Sequence, residues 1–99
     1  MGIYLGIDIM SIEEILEQVI IKCKKHKVTE VILFGSWAKG NAGEHSDIDI
    51  AVTGVKDIEE LREDIENIPT LRSFDVVDLE HCRNELLLKE IRQYGRKIL

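Results

Sequence analysis

The sequence predicts a small α/β domain in which helices flank a central sheet. Segments with the spacing of amphipathic helices are interleaved with short apolar or alternating runs, an order typical of mixed α and β structure. The chain has 99 residues, enough for one domain with a modest core. Apolar residues make up 44% of it and charged residues 32%, as in an ordinary soluble protein. We therefore expect one folded unit over residues 11–99.

The N-terminal residues 1–10 are the hardest to place. Ile3, Leu5, Ile7 and Ile9 share one parity, so a short extra strand is one alternative, and an extension outside the domain is the other. A helix is predicted to begin after these residues, because Ser11 and Glu14 have the spacing of a capping box. Apolar residues then recur at helical spacing as far as Cys23.

Strands are predicted at Val28–Phe34, Asp47–Thr53 and Phe74–Leu79. Residues 31–34 are all apolar, which indicates that the first strand is buried on both faces. A helix is predicted over Asp57–Asn67 and is stopped by Pro69. A final helix is predicted roughly over Arg83–Leu99, with Gly95 as a candidate interruption, and its inward residues are Leu87, Leu88, Ile91 and Tyr94.

Two carboxylates stand out in the second predicted strand. Asp47 and Asp49 alternate with isoleucines, so in a strand both would project from one face, roughly 6.6 Å apart. Like charges on one face repel, and a divalent cation would relieve that repulsion. Mg²⁺ prefers such hard oxygen ligands. Taken alone, the pair also fits a simple solvated face.

A small-residue turn precedes this pair. Gly35 directly follows the first strand and allows a positive φ or a close approach of the backbone to a ligand. Ser36 is expected to cap one helical turn that ends at Gly40. Free backbone N–H groups at this turn would form an anion site, to which Lys39 could add positive charge. The turn lacks the pattern of a Walker A loop.

Together these residues resemble a known family. Gly-Ser-x-Ala-x-Gly at residues 35–40, then five residues, then Ser-Asp-x-Asp at residues 46–49 resembles the signature of the DNA polymerase β-like nucleotidyltransferases. More narrowly, it is similar to the minimal nucleotidyltransferases, the antitoxins of HEPN/MNT toxin–antitoxin pairs. Trp37 and Lys39 stand where the family often has other residues, including Arg at the second position. Lysine keeps the positive charge but lacks the bidentate geometry of arginine.

The resemblance implies a polymerase β-like domain with a central mixed sheet flanked by helices. It implies that Gly35, Ser36 and Lys39 bind the nucleotide, while Asp47 and Asp49 bind metal and act in catalysis. A third carboxylate on a later strand completes the family's site. Asp75 and Asp78 have opposite parity, so only one can face the pair, and we favour Asp75 because Phe74 and Val76 are apolar.

The resemblance also implies a function. The expected reaction moves a nucleoside monophosphate, AMP from ATP, onto a hydroxyl of a partner protein, with Mg²⁺, two ions in this family, as cofactor. The expected partner is a HEPN-type toxin, and the chain would act as its antitoxin. Two alternatives are an antitoxin that neutralises its toxin by binding alone, and a small-molecule nucleotidyltransferase. His45, beside the acidic pair, is either a contact for nucleotide or acceptor or a solvated loop residue.

Composition limits the classes of binding partner and the cellular location that we expect for this protein. The net charge of −6 argues against a nucleic-acid partner and is compatible with a basic protein partner. No apolar run approaches the roughly 20 residues of a membrane span, and the N-terminus lacks a basic signal-peptide segment. Two cysteines do not make a disulfide framework, so we expect reduced thiols and a cytoplasmic location. Homo-oligomers and hetero-oligomers both stay open.

Overall fold

The computed structural model describes residues 10–43 and 46–99. The alternatives for residues 1–9 and for His45 therefore lie outside the described residues. Helices and strands alternate along the described part of the chain. They are α1 (Ile12–Lys25), β1 (Glu30–Phe34), α2 (Ser36–Lys39), β2 (Ile48–Thr53), α3 (Ile58–Glu66), β3 (Phe74–Asp78), α4 (Glu85–Tyr94) and β4 (Arg96–Lys97).

The strands form one mixed sheet with the order β3-β2-β1-β4. β1 pairs antiparallel with both β2 and β4, whereas β2 and β3 are parallel. The connection between β2 and β3 contains α3, as a parallel pair requires a crossover. The predicted mixed sheet flanked by helices is confirmed.

The main core lies between one face of the sheet and helices α1 and α3. Its β2 residues are Ile48, Ile50 and Val52, all of them 0% exposed. The capping box predicted for α1 is present, because the Glu14 amide donates to Ser11 Oγ and the Ser11 amide donates to Glu14 Oε1. The capping box stabilises the start of α1, and the apolar faces of α1 and α3 pack against the sheet.

The opposite face of the sheet is covered less completely. A small cluster of Phe34 from β1, Ala51 from β2 and Ile91 from α4 lies there. Because side chains alternate along a strand, Asp49 shares this face with Ala51. The acidic residues therefore lie on the thinly covered side, next to α4.

The predicted C-terminal helix is interrupted at the candidate position Gly95, and its continuation to Leu99 was wrong. The helix ends at Tyr94, Gly95 adopts an extended backbone conformation, and residues 96–97 pair with β1 as an edge strand. Backbone bonds secure this strand, since Ile98 N–H donates to the carbonyl of Val31 at 2.8 Å. Pairing covers an edge of β1 that would otherwise expose its polar groups. The predicted inward orientation of Tyr94 was also wrong, because its side chain is 49% exposed.

Within the described residues, no helix is both long enough and apolar enough to cross a bilayer.

Candidate active site

The acidic pair lies where β2 begins. Asp47 immediately precedes the strand and is exposed, whereas Asp49, inside it, is only partly exposed. Between and after them, Ile48 and Ile50 point into the main core. The two carboxylates therefore occupy the face opposite to the isoleucines, as the alternation predicts.

Asp75 is brought beside Asp49 by the pairing of β2 with β3. The parallel register places Asp49 opposite Asp75, and Ile50 opposite Val76. Val76 is buried in the main core, so its neighbour Asp75 projects from the other face. Asp78 does not join them. Its Oδ1 accepts a hydrogen bond from the Glu80 amide, and its Oδ2 lies 2.7 Å from His81 Nδ1.

Negative charge accumulates around Asp49. Partial burial, and after it the neighbouring charges of Asp75, Asp47 and Glu90, together raise the pKa of this carboxyl to about 6. Among the described residues, no positively charged group lowers the pKa of Asp49 appreciably. The site therefore has an unbalanced negative charge that a bound cation could offset.

Glu90 was missed in the sequence analysis. It comes from α4, directly before the buried residue Ile91, and three residues after Leu87. Helical spacing places position 90 at the border of the inward face, next to the sheet. The amphipathic pattern of α4 was thus a usable signal for Glu90, but only if the helix was known to pack over the acidic face.

The turn after β1 packs directly against Asp49. Gly35 has φ 72°, and a Cβ atom added to it would lie 2.1 Å from Asp49 Oδ2. Both the backbone conformation and the lack of space therefore require glycine. Ser36 was predicted to cap the short helix, but Gly35 occupies the cap position and Ser36 is the first helical residue of α2. The first N–H groups of α2 have no acceptor within the helix, as at any helix start.

Lys39 lies at the end of α2 and reaches α4. Its Nζ is 2.6 Å from Glu90 Oε1 and 5.0 Å from the centroid of the Tyr94 ring. Trp37 packs against the main core, and the guanidinium of Arg72 stacks over its ring at 4.9 Å. The ring thus covers the core at this turn.

The donor set suits a hard divalent cation. Asp47, Asp49 and Asp75 present carboxylate oxygens on one face of the sheet, with no basic side chain of the described residues offsetting the charge of Asp49. Among residues 10–43 and 46–99, no three His, Cys, Asp or Glu side chains are already gathered as a ligand cluster.

Cys23 does not add a soft metal site to this face. Cys23 is fully buried in the main core, and burial raises the pKa of its thiol to about 11. Only a thiolate binds zinc well. Nearby His26 is 2.7 Å from Asp64 Oδ2 instead.

Comparison with known proteins identifies the family. Residues 17–99 match the family described as Polymerase beta, Nucleotidyltransferase. The chain belongs to this family. The polymerase β resemblance seen in the sequence is thereby confirmed, and the site described above lies within the matched residues.

One curated relative agrees with the assignment to the nucleotidyltransferase family. This chain is 30% identical over 94 residues to MJ1305 of Methanocaldococcus jannaschii, a candidate protein adenylyltransferase. That match includes 92% of this chain and 54% of MJ1305, so the chain spans about half the length of its curated relative.

Solved structures with the same fold include toxin–antitoxin proteins. A toxin–antitoxin crystallised with AMP-PNP superposes with a TM-score of 0.70 and 26% identity, over 84% of this chain and 71% of that one. A tyrosine-to-alanine mutant of the toxin–antitoxin MntA-HpeT superposes with a TM-score of 0.68 and 27% identity, over 85% and 71% respectively.

Proposed function

We propose that this domain is an antitoxin that transfers AMP from ATP onto a hydroxyl group of a toxin partner. The observation that carries the proposal is the contact between the Gly35 turn and Asp49, with Asp75 opposite Asp49 on the adjacent strand. This contact supports a proposed phosphate-binding turn that lies beside the proposed metal ligands Asp49 and Asp75. A nucleotidyl transfer needs both features side by side.

In this proposal, Asp47, Asp49 and Asp75 hold Mg²⁺. The metal supplies charge neutralisation for the triphosphate and activation of the attacking oxygen. Backbone N–H groups at Gly35 and Ser36 bind the β- and γ-phosphates, and Lys39 adds positive charge when it turns toward them. Asp49 is the ligand that the turn itself orients.

The chemical step is an in-line displacement at the α-phosphorus. The oxygen of the acceptor hydroxyl forms a bond to that phosphorus, while Asp75 accepts the hydroxyl proton. The bond between the α-phosphorus and its bridging oxygen to the β-phosphate breaks, and pyrophosphate leaves with that electron pair. No residue of this chain forms a covalent intermediate.

A HEPN-type toxin is the proposed acceptor. Two kinds of similarity support a toxin: the signature at residues 35–49 resembles minimal nucleotidyltransferase antitoxins, and the compared structures are toxin–antitoxin proteins. The relationship to MJ1305 supports a protein acceptor rather than a small molecule. We place the reaction in the cytoplasm, which supplies ATP and Mg²⁺. Its reducing conditions also fit Cys23 and Cys82, which are both free thiols.

Neutralisation by binding alone is the second candidate. Similarity to toxin–antitoxin structures fits that function as well as it fits catalysis. The electrostatics of Asp49 favour catalysis, since a purely binding surface gains nothing from a partly buried carboxyl flanked by like charges.

Transfer of labelled AMP onto the protein encoded beside this one tests the proposal. The assay uses α-labelled ATP and Mg²⁺, with wild type, Asp47→Asn/Asp49→Asn, and Asp78→Asn as the matched control from the opposite face of β3. We expect label with wild type and Asp78→Asn, and none with the double variant or with EDTA. A tightly bound partner that stays unlabelled with wild type would reject catalysis and leave the binding antitoxin.

A further inference from the structure

The side chain of Lys39 contacts helix α4. Its ammonium group donates to Glu90 at 2.6 Å and lies over the Tyr94 ring, so both partners belong to α4. The ion pair is partly shielded, with side-chain exposures of 34% for Lys39 and 38% for Glu90. The charge of Lys39 is therefore already balanced by Glu90.

Glu90 connects this ion pair to the acidic site. Its negative charge acts on Asp49, whereas Lys39 is not among the groups that offset that carboxylate. The position of Glu90 is fixed by its neighbour Ile91, which is 2% exposed and packs against β1 and β2 residues. Glu90 thus holds the lysine on the side of α4 while adding to the negative potential that an incoming triphosphate meets.

We propose that Glu90 is a positioning residue that withholds Lys39 from the nucleotide, so that the triphosphate must displace Glu90 to engage this lysine. The inference rests on the proposed nucleotide site and deepens it. A lysine ammonium is a compact charge on a flexible stem, so it can exchange one anion for another without moving the backbone. A triphosphate offers several anionic oxygens where Glu90 offers one carboxylate, which favours the exchange.

The exchange makes α4 a control element of nucleotide affinity. Partly exposed ion pairs are weak, so Glu90 lowers the affinity without closing the site. Anything that draws Glu90 or Tyr94 away from Lys39, such as a basic group of a docked partner, would release the lysine toward the phosphates. Nucleotide and partner binding would then reinforce each other.

Calorimetric titration with the non-hydrolysable analogue AMP-PNP and Mg²⁺ tests this inference. Glu90→Gln removes the negative charge and keeps the size of the side chain. We expect it to lower the Kd about two- to five-fold, the range typical of a partly exposed ion pair. Lys39→Met should raise the Kd. In the Lys39→Met background, Glu90→Gln should have little further effect, because the two act through one contact.

Glu63→Gln is the matched control, an exposed carboxylate of α3 on the other side of the sheet. It removes the same charge and should leave the Kd unchanged. If wild type binds AMP-PNP and Glu90→Gln has an unchanged or higher Kd, the inference about Glu90 is overturned, while the proposed nucleotide site stands. The same applies if Glu90→Gln tightens binding equally with and without Lys39. Absence of AMP-PNP binding by wild type would instead reject the proposed nucleotide site and the inference with it.

Discussion

Asp49 has a carboxyl group in surroundings that disfavour its charge. It is partly buried, lies opposite Asp75 of the neighbouring strand β3, and leaves no room for a Cβ at Gly35. Such an arrangement reduces the stability of the folded chain. Residues that reduce stability in this way cluster at functional sites, which is why Asp49 is the centre of the proposed site.

The first prediction concerns Asp49 and pH. Its pKa is about 6 in the fold against an ordinary value of 3.8, so the folded state binds the proton more tightly. The free energy of unfolding therefore falls as pH rises between these two values. In EDTA at pH 7, Asp49→Asn should be more stable than wild type by about 1–2 kcal/mol, allowing for solvent screening.

Urea denaturation with EDTA at several pH values measures this effect. The difference between Asp49→Asn and wild type should shrink as pH falls toward 4. Added Mg²⁺ should stabilise wild type more than the variant, since ligand binding to the folded state stabilises it. Equal stabilities at pH 7 without metal would contradict the account of this carboxyl.

The second prediction separates two roles of Gly35. Gly35→Ala combines a positive φ with a Cβ that would lie 2.1 Å from Asp49 Oδ2, whereas Gly40 has φ 79° and nothing within 4 Å of its Cβ position. Gly40→Ala should therefore show backbone strain alone, about 1 kcal/mol. Gly35→Ala should lose about 1–3 kcal/mol and should also weaken Mg²⁺ binding. Chemical denaturation and metal titration of both variants provide the test. If both variants bound Mg²⁺ with equal affinity, the Gly35 turn would have no influence on metal binding by Asp49.

At the scale of elements, α4 and β4 are linked by one residue. Gly95 ends α4, and its N–H donates to the carbonyl of Ile91 at 2.8 Å. A Cβ at this position would lie 2.2 Å from that carbonyl oxygen and 2.6 Å from Ile32 Cγ2. Gly95 therefore allows the chain to pass closely between α4 and β1 before it pairs as β4.

The third prediction follows from this close passage. Gly95→Ala should destabilise the domain by about 1–3 kcal/mol through overpacking. Amide exchange at Val31 should also accelerate, because its N–H donates to the carbonyl of Leu99 beyond β4. Gly43→Ala is the control, since its Cβ would meet only Ser46 Oγ at 3.9 Å. Unchanged exchange at Val31 in Gly95→Ala would show that β4 pairs independently of this passage.

At the scale of the whole molecule, Asp64 joins the two helices that cover the main core. Its carboxylate on α3 lies 2.7 Å from His26 Nε2, and 3.9 Å and 3.7 Å from the ammonium groups of Lys22 and Lys25. The His26 hydrogen bond, followed by the two lysine charges, lowers the pKa of Asp64. The packing of α1 on α3 therefore includes a polar contact that depends on pH.

The fourth prediction is that Asp64→Asn lowers the melting temperature at neutral pH. A lowered carboxyl pKa contributes stability above the unfolded value, and that stability is lost as pH falls through the folded value. The difference between Asp64→Asn and wild type should therefore be largest near neutrality and shrink as pH falls below the ordinary carboxyl pKa of about 3.9. Glu66→Gln, an exposed charge change on the same helix, is the control. A difference that persists unchanged at low pH would assign the effect to packing rather than to charge.

Local patterns determined most of the architecture and the candidate site. The capping box at Ser11 and Glu14 marked the start of α1, and alternation through β2 separated Ile48 and Ile50 from the carboxylates. Parity within β3 favoured Asp75 over Asp78. These predictions held because the periods of helices and strands depend only on neighbours in the chain. The roles of these carboxylates in metal binding and catalysis remain to be tested by the experiments above.

Only the tertiary structure decided which distant residues meet. β4 forms because the edge of β1 is available at the end of α4, whereas the sequence indicated only a candidate interruption of the helix at Gly95. Lys39 and Glu90, 51 positions apart, pair because α4 packs over the acidic face. Gly35 contacts Asp49 because β1 and β2 are antiparallel in a register that sets Phe34 opposite Asp49. Such contacts depend on the packing of whole elements, which local sequence patterns do not encode.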